Sequence, residues 1–144
     1  MRIFRFVLLS LFIYHSAIDA TAQQPPLKFN SAGKFKIVQF TDVHYIHNDP
    51  RSEISIVRIN EVLDTESPDL VIFTGDLIFG SPAEEGLRRL LKQVSDRKTP
   101  FAVLFGNHDD QYELSRKQLY EIIKTIPYKT GNIYIISRFN QSSM

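Results

Sequence analysis

The 144-residue sequence contains no cysteine, so it can form no disulfide, hold no metal through thiolate and attack no substrate through sulfur. Its stability must come from packing. It also has little net charge: 17 basic residues stand against 16 acidic ones, and no basic stripe recommends nucleic acid or an anionic lipid surface as a partner. No stable membrane span is expected, because the longest apolar run, Phe6 to Tyr14, is about half of the roughly 20 residues that a bilayer requires. No internal repeat, low-complexity segment or interdomain linker divides the chain.

What is present begins with Arg2 and Arg5 ahead of that apolar run, followed by Ala20-Thr21-Ala22 at the small-residue spacing that signal peptidase accepts. Residues 1–22 are therefore expected to be a secretory signal peptide, cleaved after Ala22, that exports the chain to the periplasm or the cell exterior. Its removal takes away Arg2, Arg5 and Asp19 and leaves acidic and basic residues equal in number. Residues 23–34 form a polar lead-in, and residues 35–144 are long enough for one domain with its own core.

Within that domain, "KFKIVQFTD" predicts a strand. From Arg51 to Glu66, Ile54, Val57, Glu61 and Leu63 mix with Ile56, Ile59 and Val62 at helical spacing, and Ser67-Pro68 closes the segment. "DLVIFTGD" is a wholly apolar strand of the kind buried on both faces. Ser81, Pro82 and Glu84 predict a helix start with a capping box, leading into Leu87, Leu90, Leu91 and Val94. "PFAVLFGN" is a third strand; Ser115 and Gln118 cap a third helix carrying Leu119, Ile122, Ile123 and Ile126; "NIYIIS" is a last strand. Alternation of this kind gives an α/β fold of parallel βαβαβ units, whose ligands bind outside the carboxyl edge of the sheet. A nucleotide-binding Rossmann module would need a glycine-rich turn after the first strand, and "FTDVHYIHND" has no glycine.

All three strands end in the same kind of chemistry: Asp42 and His44, then Gly75 and Asp76, then Asn107, His108 and Asp109. Adjacent strands lie about 4.8 Å apart, so these side chains can reach a common point. Two carboxylates about 4 Å apart repel by roughly 4 kcal/mol at an effective dielectric near 20, and neither Lys nor Arg occurs in the three stretches. A divalent ion is the simplest counter-charge; zinc, manganese and iron all accept oxygen and imidazole ligands. Asp76 has one oxygen for each of two ions, and His108 can aim its imidazole at a bound phosphate while Asp109 fixes the ring's tautomer. Asp42 and Asp76 could each merely cap a turn, and His108 could be an ordinary loop histidine, but the three readings together are a poorer account than one site. His47, Asn48, Asp49, Arg51, Asp110 and Tyr112 read as solvated loop, Phe40, Phe73, Phe101 and Phe105 as core, and Arg88-Arg89 as the wet face of a helix.

"TDVH", "TGDLIFG" and "FGNHD", in that order and separated by helices, resemble the calcineurin-like metallophosphoesterases, the family that includes purple acid phosphatases. "GNHD" alone is expected by chance in about one in a thousand chains of this length. The resemblance implies the N-terminal half of a metallophosphoesterase α/β sandwich, with Asp42 and His44 on a first metal, Asp76 bridging, Asn107 on a second, and His108 acting on the phosphate or leaving group with support from Asp109. It implies a secreted metal-dependent hydrolase of phosphate esters. Two departures matter. Purple members carry tyrosine three residues after the bridging aspartate, where this chain has Phe79, so a non-purple branch is expected. Family members also supply histidines downstream, ending in G-H-x-H, and no histidine follows His108. The domain is thus expected to be truncated at its C-terminus, with at most one well-held ion and feeble activity; the competing reading is a non-catalytic remnant that binds one metal or none. Composition carries no signal of oligomeric state.

Overall fold

The computed structural model describes residues 26–130; the expected signal peptide and the expected strand "NIYIIS" lie outside them. Three strands alternate with three helices: β1 (Ile37–Phe40), α1 (Pro50–Glu66), β2 (Leu70–Thr74), α2 (Ala83–Ser95), β3 (Phe101–Leu104) and α3 (Arg116–Lys124). The sheet order is β1-β2-β3 and both pairings are parallel. This is the expected α/β architecture, and its strands share one carboxyl edge.

Register explains where the core sits. Val38 pairs with Val71, Phe40 with Phe73, Val71 with Phe101 and Phe73 with Val103, so these six side chains share one face. They pack with Ile56, Ile59 and Leu63 of α1, Leu87, Leu90, Leu91 and Val94 of α2, and Leu119 and Ile123 of α3. Burying one such side chain contributes about 1.5–3 kcal/mol. The expectation that β2 is buried on both faces is not met: Val71 and Phe73 are buried, whereas Ile72 is half-buried. Residues of all three helices join this one core cluster, as the preference for right-handed crossovers between neighbouring parallel strands leads one to expect of α1 and α2. The other face carries Gln39, Ile72, Thr74 and Ala102, together with Ile37 and Leu104, which are 52% and 37% exposed.

The helix ends show which local signals act. Asp49 caps α1 by accepting from Arg51 N at 2.8 Å, Pro50 occupies the first turn, and Ser67 closes the helix in the left-handed region with φ 44°. Of the two apolar stripes on α1, the one holding Ile56, Ile59 and Leu63 is buried, while Ile54, Val57 and Val62 face outward. At α3 the expected capping box between Ser115 and Gln118 is present. At α2 it is not: Pro82 takes the cap position without a side-chain bond, and the Ala83 N–H donates instead to the Glu113 carboxylate, which arrives from the loop before α3. A distant acceptor thus satisfies one of the orphan N–H groups at the start of α2. Among the described residues, no helix is long and apolar enough to cross a membrane.

Candidate metal centre

Beyond their regular hydrogen bonding, β1 and β2 stay paired as they turn. Asp42 N donates to Gly75 O (3.1 Å), His44 N to Asp76 O (2.9 Å), Tyr45 N to Leu77 O (3.0 Å) and Phe79 N back to Tyr45 O (3.0 Å). Two strand-end loops are thereby laid side by side, and their side chains meet. Asp42, His44 and Asp76 each offer one ligand atom within 4.8 Å of the others. His44 Nε2 stands 3.9 Å from Asp42 Oδ1 and 3.9 Å from Asp76 Oδ2. Two carboxylates within 4.8 Å of each other repel by about 3.5 kcal/mol or more at an effective dielectric near 20. Among the described residues, this imidazole is the basic side chain within 4.0 Å of both.

The backbone at all three positions is in the left-handed region: φ is 53° at Asp42, 46° at His44 and 51° at Asp76. Non-glycine residues held there cost about 1–3 kcal/mol each, and such costs gather at functional sites. Asp76 is the most enclosed of the three side chains, at 12% exposure against 38% for His44 and 64% for Asp42. Its Oδ1 accepts from His108 N at 2.9 Å, and Asp42 Oδ2 accepts from the neighbouring Thr41 hydroxyl at 2.6 Å. Gly75 precedes Asp76 with φ 108°. Gly106 lies so close that a Cβ there would stand 2.1 Å from Asp76 Oδ1. The donor set fits a divalent ion: two carboxylates and one imidazole converge, Asp42 and His44 remain open to solvent, and three oxygen or nitrogen ligands leave room for water.

The "GNHD" turn joins this cluster from the third strand. The His108 ring packs edge-on against that of His44, with centroids 5.2 Å apart. Asn107 is exposed in the same turn. Asp109 is buried, at 2% exposure, and differs from expectation. Its Oδ1 accepts from Leu77 N (2.7 Å) and Ile78 N (3.1 Å), and its Oδ2 accepts from Gly106 N (2.8 Å). The expected partner of the His108 ring is thus committed elsewhere, and Gln111 takes that place: Gln111 Oε1 lies 2.8 Å from His108 Nδ1. In the arrangement where that oxygen accepts, Nδ1 carries the hydrogen and Nε2 is left for a ligand. Burial pushes the Asp109 carboxyl above its ordinary range and the nearby Asp76 charge adds to the rise, while the three N–H donors pull the other way.

Two further residues belong to this neighbourhood. Phe79 lies edge-on to His44 (5.8 Å), His108 (5.7 Å) and Tyr112 (5.2 Å). Tyr112, read from sequence as solvated loop, is thus the outer member of an aromatic cluster, and Gln111 had no sequence signal beyond its place three residues after His108. Asp49, Arg51, Asp110 and Arg89 have structural partners. Asp49 caps α1 and pairs with Arg51 at 2.7 Å, Asp110 pairs with Arg116 at 3.2 Å, and Arg89 reaches Glu53 at 2.9 Å.

Comparison with known proteins bears on this geometry directly. The family model for calcineurin-like phosphoesterase matches residues 35–141. The phosphatase DCR2 of Saccharomyces cerevisiae is 36% identical over an alignment covering 81% of this chain and 23% of the yeast protein. The probable inactive purple acid phosphatase 29 of Arabidopsis thaliana is 31% identical, covering 87% of this chain and 38% of the plant protein. The UDP-2,3-diacylglucosamine pyrophosphatase LpxG of Chlamydia trachomatis is 32% identical over 63% of this chain and 27% of its own length. The chain therefore spans well under half the length of these relatives.

Proposed function

The chain belongs to the calcineurin-like phosphoesterase family, and we propose that it is an exported, metal-dependent hydrolase of phosphate esters. The observation that carries this reading is the convergence of Asp42, His44 and Asp76 within 4.8 Å, each on left-handed backbone. In it, Asp42, His44 and Asp76 would hold a first ion of zinc, manganese or iron, and Asp76 with the neutral amide of Asn107 would serve a second. A bound divalent ion supplies positive charge that polarises a phosphate ester and lowers the pKa of water.

The remaining steps fall to the protein. The His108 N–H fixes Asp76 Oδ1, so the carboxylate presents its other oxygen to the site without paying to reorganise. Gln111 orients the His108 ring, whose Nε2 can hydrogen-bond a phosphate oxygen or pass a proton to the leaving oxygen. Asp109 acts one layer back, joining the Asp76 loop to the His108 loop. Hydrolysis of an aryl phosphate with zinc or manganese, compared with chelator and with Asp76→Asn, tests the reading. Metal-dependent release that Asp76→Asn abolishes is expected; equal rates in chelator or in the variant would overturn it. Export is tested by intact mass of the secreted protein, which should begin at Gln23 and not at Met1.

A non-catalytic protein that binds one metal or none is the second reading, favoured by the single convergent donor group among the described residues and by relatives named as inactive purple acid phosphatases. It predicts metal binding without turnover.

A further inference from the structure

Resting on that phosphoesterase reading, we propose that Phe79 and Tyr112 form an aromatic wall that seats a planar, apolar leaving group, so that aryl phosphate esters are the preferred substrate class. The wall starts at the donor set. Phe79 presents its ring at 76° to the His44 ring and at 68° to the His108 ring, with centroids 5.8 and 5.7 Å away. It therefore touches both an expected metal ligand and the histidine whose Nε2 serves the leaving oxygen. Tyr112 continues the wall outward, at 80° and 5.2 Å from Phe79.

All three orientations are the edge-to-face arrangement in which an electron-rich ring face meets a positive ring edge, and a further ring can join in the same way or by offset stacking. Phe79 is half-buried and fixed by its three neighbours. Tyr112 is 43% exposed, so ring surface is left to receive a ligand. Phe79 follows Asp76 on one loop, while Tyr112 follows His108 and Gln111 on the other. Asp109 ties those loops through Leu77, Ile78 and Gly106. In an aryl ester the ring is bonded directly to the leaving oxygen, which puts it within one ring's width of the phosphate, where this wall stands. An alkyl ester of the same charge has no face to offer it.

The test uses non-hydrolysable phosphonates and equilibrium binding, so it does not depend on turnover. Phenylphosphonate and methylphosphonate are titrated by calorimetry into the full chain loaded with zinc or manganese. Phenylphosphonate should bind about two- to tenfold more tightly, the range that a single aromatic contact supplies. Tyr112→Ala should erase that preference while keeping methylphosphonate affinity, and Tyr112→Phe should retain it. Equal binding of the two ligands by the wild type, or a preference that survives Tyr112→Ala, overturns the proposal and leaves the phosphoesterase reading standing. Failure of both ligands to bind the metal-loaded wild type overturns that reading and the proposal with it. A Tyr112→Ala variant that weakens both ligands equally makes Tyr112 a structural residue and also overturns the proposal.

Discussion

The backbone N–H of His108 donates to Oδ1 of Asp76 across 2.9 Å, linking residues that lie 32 positions apart and leave the sheet from different strands. The bond makes the two loops one unit, and Asp109 braces it from behind. The metal-type donor set is therefore held by the turn that carries the candidate acid–base histidine.

Asp109→Ala is expected to strand three backbone N–H groups, those of Leu77, Ile78 and Gly106. Unsatisfied buried donors cost about 1–3 kcal/mol each, so urea unfolding should show a loss of about 3 kcal/mol or more, with Asp109→Asn losing less. An unchanged unfolding midpoint for Asp109→Ala would remove the bracing role.

How far the sequence disclosed this arrangement depends on the range of each interaction. The three strands were legible because apolar runs ended in Asp42, Asp76 and Asn107 at one edge, and the family follows from the same residues. The α3 capping box was legible because Ser115 and Gln118 are three residues apart. At α2 the acceptor is Glu113, 30 residues from Ala83, and no local pattern announces it. The role of Asp109 was misread for the same reason: adjacency to His108 suggested a ring partner, while the fold turned its carboxylate toward Leu77 and Ile78. On α1 the sequence mixed Ile54, Val57 and Leu63 with Ile56, Ile59 and Val62, and only packing selects Ile56, Ile59 and Leu63 for burial.

Gly106→Ala should damage the site without replacing a ligand. The new Cβ would stand 2.1 Å from Asp76 Oδ1 and 2.5 Å from Asp76 N, so the carboxylate must shift. Zinc or manganese affinity measured by calorimetry is expected to fall by about tenfold or more. Gly86→Ala is the matched control: it lies within α2, its Cβ meets nothing closer than 3.7 Å, and it should stabilise the chain by about 0.5–1 kcal/mol. Equal metal affinity in Gly106→Ala and wild type would mean the close approach has no functional role.

Glu53 gives a pH dependence away from the metal centre. The buried Tyr45 hydroxyl donates to it and Arg89 Nη2 reaches it at 2.9 Å; these bonds, Tyr45 foremost, hold its carboxyl below the ordinary value of 4.5. A depressed carboxyl contributes stability that is complete above that ordinary value and is lost as pH falls through the lowered one. The thermal midpoints of wild type and Glu53→Gln should therefore differ at pH 7 and draw together on acidification below pH ~4. The gap is expected to be small, because Glu53 is 41% exposed and solvent screens the pair. A gap that widened with acid would reverse the assigned sign.

Asp76→Asn and His47→Ala separate the donor set from the loop beside it. Asp76 contributes an oxygen to the convergent group, whereas His47 is outside it. In folded variants, Asp76→Asn should lose metal retention by about a hundredfold while His47→Ala changes it by less than about threefold. Comparable losses would withdraw the special position of Asp76.

The central claim is that Asp42, His44 and Asp76 form a metal centre, and elemental analysis addresses it most directly. The soluble chain would be loaded with zinc or manganese, desalted and measured beside Asp76→Asn. The account predicts about one ion per wild-type chain, since among the described residues the convergent donor group is Asp42, His44 and Asp76, and almost none in the variant. A wild type that retains no ion, a variant that retains as much, or two tightly held ions per wild-type chain would contradict it.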